Sequence, residues 1–182
     1  MGIFSRIFGD RDRRAAGTPR PAQPEPSGAY EVADVYRGLR EQVLGLADDP
    51  SFARGDGPAA VLMETGYPGA AVSLAAIADG TTSLYFSNGG GVIGAGAHEP
   101  VRAAASRLLA AAAGAADGLR PAGAFPLPEP GRVRFYLVAA GGIRAAEAAE
   151  EELGNHRHPL SPLFHLGHAV ISAIREHTPE QA

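Results

Sequence analysis

The sequence predicts an α+β fold with about five strands in a mainly antiparallel sheet, in the order α-βββ-α-ββ-α, with helices flanking it. Three observations carry this. Apolar positions recur at helical spacing in three separate segments, around residues 32–46, 101–112 and 163–174. Short apolar or alternating runs fall between those segments. Where runs follow one another, only the turn at 66–69, Asp79-Gly80 or Gly141-Gly142 separates them, which leaves room for a hairpin and none for a crossover helix.

The first helix begins near Ala29. Val32, Val35, Tyr36, Leu39, Val43 and Leu46 form its apolar stripe, Glu31, Asp34, Arg37 and Arg40 are placed outside, and Asp48-Asp49-Pro50 closes it. Residues 60–63 read as a short buried strand, 66–69 as a turn, 70–78 as a second strand and 83–86 as a third. The glycine-rich stretch 88–96 leads into the second helix, where Val101, Ala105, Leu108, Leu109 and Ala112 share a face. Pro121, Pro126, Pro128 and Pro130 make residues 119–131 an irregular connection.

Val133, Phe135 and Leu137 alternate with Arg132, Arg134 and Tyr136, the pattern of a half-exposed strand. A short strand over 143–146 is expected to pass into a helical turn, because residues 145–153 are rich in Ala and Glu. Ser161 as N-cap and Pro162 at the first helical position start the last helix, with Leu163, Phe164, Gly167, Val170, Ile171 and Ile174 on its buried face. In outline this order is similar to profilin-like, roadblock-like and longin-like scaffolds, although the three strands before the middle helix fit roadblock domains poorly. The likeness is one of architecture and assigns no residue a role.

Ahead of the domain, the prolines of residues 18–28 forbid a helix and predict an extended linker. Before it, Ile3, Phe4, Ile7 and Phe8 would share one face of a two-turn helix, with Arg6, Arg11, Arg13 and Arg14 alongside. An apolar stripe beside arginines suits weak, reversible contact of residues 1–14 with an anionic membrane surface or a partner protein. Gly2 is followed by Arg6 where a myristoylation signal needs Ser or Thr. The chain therefore divides into a disordered segment at 1–28, one domain at 29–177 and a tail at 178–182.

Composition removes several classes of chemistry. The 182 residues contain 16 Lys+Arg positions, all of them Arg, and no Cys. That excludes lysine Schiff bases, a P-loop lysine, thiol nucleophiles, disulfides and thiolate metal sites. A net charge of −4 gives no global positive field, so nucleic acid is not an expected partner. With no apolar run of about 20 residues and no signal-peptide pattern, the expected compartment is the cytosol, with peripheral contact at the inner membrane as the alternative.

Two motifs remain. Gly89, Gly91, Gly94 and Gly96, with His98 after them, place a glycine-rich turn between a strand and a helix, the context in which backbone N–H groups cradle phosphate or a nucleotide. This strand ends a meander instead of opening a parallel βαβ unit, so the simpler reading is a tight turn, with His98 and Glu99 at the helix start. His156, His158, His165 and His168 have His-x-His and His-x-x-His spacings able to hold a divalent metal. A solvated polar stripe of His165, His168, Ser172 and Arg175 explains them without metal and is the favoured reading. Ser161 next to His165 is read as a cap, not a nucleophile. Tyr67, Tyr85, Phe86, Phe135 and Tyr136 could line a pocket or a partner surface, but at strand positions they are read chiefly as core or cross-strand packing. The favoured function is a non-catalytic protein-interaction or scaffold module, tethered through its N-terminal segment. The alternative is a metal- or phosphate-ligand-binding enzyme or sensor.

Overall fold

The computed structural model describes residues 30–51 and 57–178. The N-terminal contact residues Ile3, Phe4, Ile7 and Phe8, the linker and the end of the tail lie outside them. The elements are α1 (Asp34–Leu44) with a following 3-10 turn (Gly45–Asp48), β1 (Ala60–Tyr67), β2 (Ala70–Ile77), β3 (Thr82–Phe86), β4 (Gly91–Val92), a 3-10 turn (Ala95–Ala97), α2 (Glu99–Gly114), a 3-10 turn (Ala116–Gly118), β5 (Arg120–Pro121), β6 (Arg132–Ala139), β7 (Gly142–Ala149), α3 (Glu150–Gly154) and α4 (Ser161–His177).

The α+β class is as expected, but the sheet has seven antiparallel strands in the order β4-β3-β2-β1-β6-β7-β5, not about five. Both additional strands are two-residue stubs on the edges. β4 lies inside the glycine-rich stretch and pairs Val92 with Leu84; β5 lies inside the proline-rich connection and pairs Arg120 with Ala145.

The sheet is buried on both faces, which explains why β1 and β2 read as continuous apolar runs. On one face Val61, Met63, Leu74, Leu84, Val133, Phe135 and Leu137 pack against α2 and α4, through Val101, Ala105, Leu108, Leu163, Phe164, Val170, Ile171 and Ile174. The alanines of α2 let it lie close beside α4. On the other face Leu62, Ala75, Ile77, Tyr136 and Val138 pack against Tyr36, Leu39, Val43 and Leu44 of α1 and Leu46 of the turn after it. The proline-rich segment continues this layer: Phe125 and Leu127 pack on the same cluster, and the Phe125 ring meets Tyr136 edge-on at 5.7 Å between centroids.

Four local expectations are corrected. The first helix starts at Asp34, and Val35, assigned to its apolar stripe, is 52 % exposed. Arg40, placed outside, is buried against the sheet. β7 runs through Ala149 before any helix begins, because residues 142–149 pair with all of β6 and that ladder overrides the helical preference of Ala and Glu. Ser161 is the first residue of α4, not its cap; Leu160 occupies the cap, and the Ser161 hydroxyl accepts the His158 N–H at 3.4 Å.

Candidate functional site

Glu64 sits in the middle of β1, on the α1 face, and is fully buried. Register places Tyr85, Ser73, Glu64, Arg134 and Glu147 opposite one another across β3, β2, β1, β6 and β7, so a polar row crosses an otherwise apolar sheet. Such a carboxylate must be paired. Arg40 reaches down from α1 and donates from Nε to Oε1 at 2.8 Å and from Nη2 to Oε2 at 2.9 Å, the two-pronged geometry that suits a guanidinium to a carboxylate. Ser73 Oγ donates to Oε1 at 2.9 Å, which uses its single proton, so the Tyr36 hydroxyl donates to Ser73 Oγ across their 2.8 Å contact.

The guanidinium also lies 5.5 Å from the Tyr136 ring centroid, and the Tyr136 hydroxyl donates to the Pro126 carbonyl at 2.8 Å. Burial works against the charge on Arg40, but Glu64 outweighs it and holds the guanidinium charged. Burial, with the Glu64 charge second, raises the phenols of Tyr36, Tyr85 and Tyr136. Farther along the row, Glu147 accepts Arg132 Nε at 3.0 Å and Arg134 Nε at 2.8 Å. Burial opposes its ionisation, yet the two arginines prevail and lower its pKa. The set resembles acid–base machinery in composition. It joins α1, the sheet and the proline-rich segment, and both of its carboxylates are paired with arginines, Glu64 with Arg40 and Glu147 with Arg132 and Arg134.

The glycine-rich turn uses its own N–H groups. Gly89 N–H donates to Phe86 O, Gly90 N–H to Asn88 Oδ1, Gly94 N–H to Ser83 Oγ, Ala97 N–H to Gly94 O and His98 N–H to Ala95 O. These groups meet an anion only by breaking bonds that shape the loop. Two of its glycines have a packing reason: a Cβ on Gly96 would stand 1.9 Å from the Gly80 carbonyl oxygen, and one on Gly91 would stand 2.5 Å from that of Leu84. His98 precedes α2 without a side-chain cap bond, and its ring lies 6.1 Å from that of His177.

The histidines divide between two places. His156 follows α3 with φ of 57°, a left-handed conformation usually left to Gly or Asn, and its ring stacks on His165 at 4.2 Å. His158 Nδ1 accepts the Leu160 N–H at 3.2 Å. His168 turns toward the sheet, 4.3 Å from the Phe164 ring. Among the described residues no three His, Cys, Asp or Glu side chains gather where one ion would sit. The stripe on α4 is solvated only in part: Ser172 and Arg175 are exposed, whereas Nε2 of both His165 and His168 is buried with no hydrogen-bond partner among the described residues.

His168 marks a concave site that sequence reasoning missed. Between α4 and the far ends of β1, β2 and β3 lies a cleft of about 230 Å³. Its floor is Met63, Val72, Leu74, Leu84, Phe86 and Ile171, and its polar lining is Thr65, Tyr67, His168 and Arg175. It exists because α4 crosses the sheet at Gly167, where a Cβ would stand 2.5 Å from the Met63 sulfur, and leaves the strand ends beyond uncovered. Burial lowers the His168 pKa; His165 and Arg175 add to this and Glu150 opposes it. Tyr67 donates its hydroxyl to Glu150 at 3.3 Å. Thr65 and Tyr67 give no joint signal in the sequence, because the apolar run that marks β1 stops at Met63. Tyr67 and Phe86 line this cleft, whereas Tyr85, Phe135 and Tyr136 are core.

Among the described residues no helix is long and apolar enough to cross a membrane. Comparison with models of protein families, with curated proteins and with solved structures gives no match to this chain.

Proposed function

We propose that this chain is a non-catalytic interaction module of the cytosol that recognises a protein partner through the α4 cleft. The observation that supports it is the cleft itself: an apolar floor on which Val72 and Phe86 stay partly exposed, beside a His168 Nε2 that has no hydrogen-bond partner among the described residues. Sites of this composition bind by burying apolar surface and fixing orientation with a few polar contacts. Residues 1–28 act as its tether: the apolar stripe of Ile3, Phe4, Ile7 and Phe8 makes weak contact with a membrane surface or a second protein, and the proline-rich linker holds the domain at a distance.

A photo-crosslinking residue at Ser172, exposed one position after Ile171 on α4, tests the cleft against one at Glu41, exposed on α1. In cells the Ser172 probe is expected to yield a discrete adduct and the Glu41 probe none. Adducts from Glu41 with none from Ser172 would place recognition on the opposite face and refute the reading. Deleting residues 1–28 should leave the Ser172 adduct in place but lower its yield.

A further inference from the structure

We propose that the α4 cleft takes the last residue of a partner polypeptide, an apolar side chain together with its free α-carboxylate; this rests on the cleft being the recognition surface. Size is the first argument. At about 230 Å³ the cleft is smaller than the roughly 300–1,000 Å³ of sites that enclose a whole small ligand. One or two side chains fit, and the remainder of any larger ligand stays outside.

The second argument is how the lining is divided. Met63, Val72, Leu74, Leu84, Phe86 and Ile171 offer only apolar surface, while Thr65, Tyr67, His168 and Arg175 bring the hydrogen-bonding groups. A terminal residue carries both matching parts on a single Cα, a side chain for the floor and a carboxylate for the polar groups. An internal Asp or Glu has the charge without the apolar body, and a nucleotide exceeds the volume.

Charge is the third argument. Arg175 makes no ion pair or hydrogen bond among the described residues, although other exposed arginines, such as Arg157 with Glu151, do. His168 Nε2 is equally unpartnered. Glu150, the nearby carboxylate, is bonded to the Tyr67 hydroxyl and does not line the cleft. A planar carboxylate supplies what the guanidinium lacks, and capture of chain-terminal carboxylates is a recurring mode of peptide recognition.

The test titrates the full chain, with Met, Ile and Leu methyl groups labelled for NMR, with the pentapeptide Gly-Gly-Gly-Gly-Leu as free acid, with its C-terminal amide, and with 4-methylpentanoate. The free acid should shift the Met63, Leu74 and Ile171 methyls saturably. The amide should bind at least about fivefold more weakly, the lower end for losing a charge-assisted bond at an exposed rim. Arg175→Gln should bring the acid down to the affinity of the amide and leave the amide unchanged; its methyl spectrum reports that the fold is kept. Cleft shifts with no preference for acid overturn the inference and leave the cleft as recognition surface. So does 4-methylpentanoate binding as tightly as the peptide, which would make this a site for small acids. No shift with this pentapeptide, nor with the same free acid ending in Ile, Val, Phe or Met in place of Leu, also overturns it, and the Ser172 crosslink then decides separately whether the cleft recognises anything else.

Discussion

Arg40→Met isolates the energetics of the buried pair. In the native protein Glu64 is fully buried, the Arg40 side chain is 11 % exposed, and three donor atoms serve the carboxylate: Arg40 Nε, Arg40 Nη2 and Ser73 Oγ. The substitution keeps most of the aliphatic stem and removes two of those donors together with the charge that pairs with Glu64 among the described residues. Breaking a buried pair from one side costs about 3–5 kcal/mol, because an ion stays in the interior without its partner. That is about a third or more of the total stability of an ordinary domain, and a domain of this size should lose roughly 10–20 °C in Tm.

Glu64→Leu made together with Arg40→Met removes both charges and fills the space with apolar groups, while Ser73 keeps the Tyr36 hydroxyl as partner. The double variant should therefore lie within about 2 kcal/mol of the native protein, far above the sum of the single losses. Urea denaturation of the four proteins, monitored by circular dichroism, gives the cycle. A loss below about 1 kcal/mol for Arg40→Met would refute the argument by showing that water already relieves Glu64. Strict additivity would refute it by showing that the two residues do not interact.

Other expectations follow from single groups. Tyr85→Phe should be neutral or stabilising by up to about 1 kcal/mol, because its buried hydroxyl has no partner among the described residues, whereas Tyr36→Phe should cost about 1 kcal/mol through Ser73; both are read by denaturant midpoint. Gly96→Ala should cost more than about 2 kcal/mol, since the Gly80 carbonyl cannot yield to a Cβ, while Gly114→Ala, with open space around it in α2, should gain up to about 1 kcal/mol. For His168 the folded state favours the neutral ring, chiefly by burial, so its contribution is complete above the unfolded value near 6.5 and is lost as pH falls from there through the lowered folded pKa. The Tm of His168→Gln should accordingly fall less than that of the native protein between pH 7.5 and 5; parallel curves would remove His168 as the cause.

The parts of this fold legible in the sequence are those in which a residue's surroundings repeat. Tyr36, Leu39 and Val43 recur at helical spacing because one side of α1 faces the sheet throughout, and Val133, Phe135 and Leu137 share the face of β6 under α2 and α4, although β6 is not half-exposed as its pattern suggests, since Tyr136 and Val138 are buried on the other face. The strands β4 and β5 escaped because two residues carry no period. Ala145–Ala149 was misjudged because cross-strand pairing with β6, not local preference, decides its state.

The candidate site was hidden for another reason. Glu64 belongs to a strand whose apolar run seemed to stop one residue earlier, and a carboxylate inside β1 is what requires Arg40 to face inward. The cleft joins Thr65 and Tyr67 of β1 to His168 and Arg175 of α4, about a hundred positions away in the chain. No local pattern announces such a meeting. His168 was singled out for its spacing to His165, while its unpartnered nitrogen depends on how α4 crosses the strands.

The stubs that close the sheet have a consequence for how copies of this protein meet. β4 leaves only two residues in ladder geometry at one border, and at the other Pro121 has no N–H to offer a newcomer. The stubs therefore shorten, without abolishing, the rows a second molecule could pair with, since β5 covers only Arg144 and Ala145 of β7 and β4 only Leu84 and Tyr85 of β3.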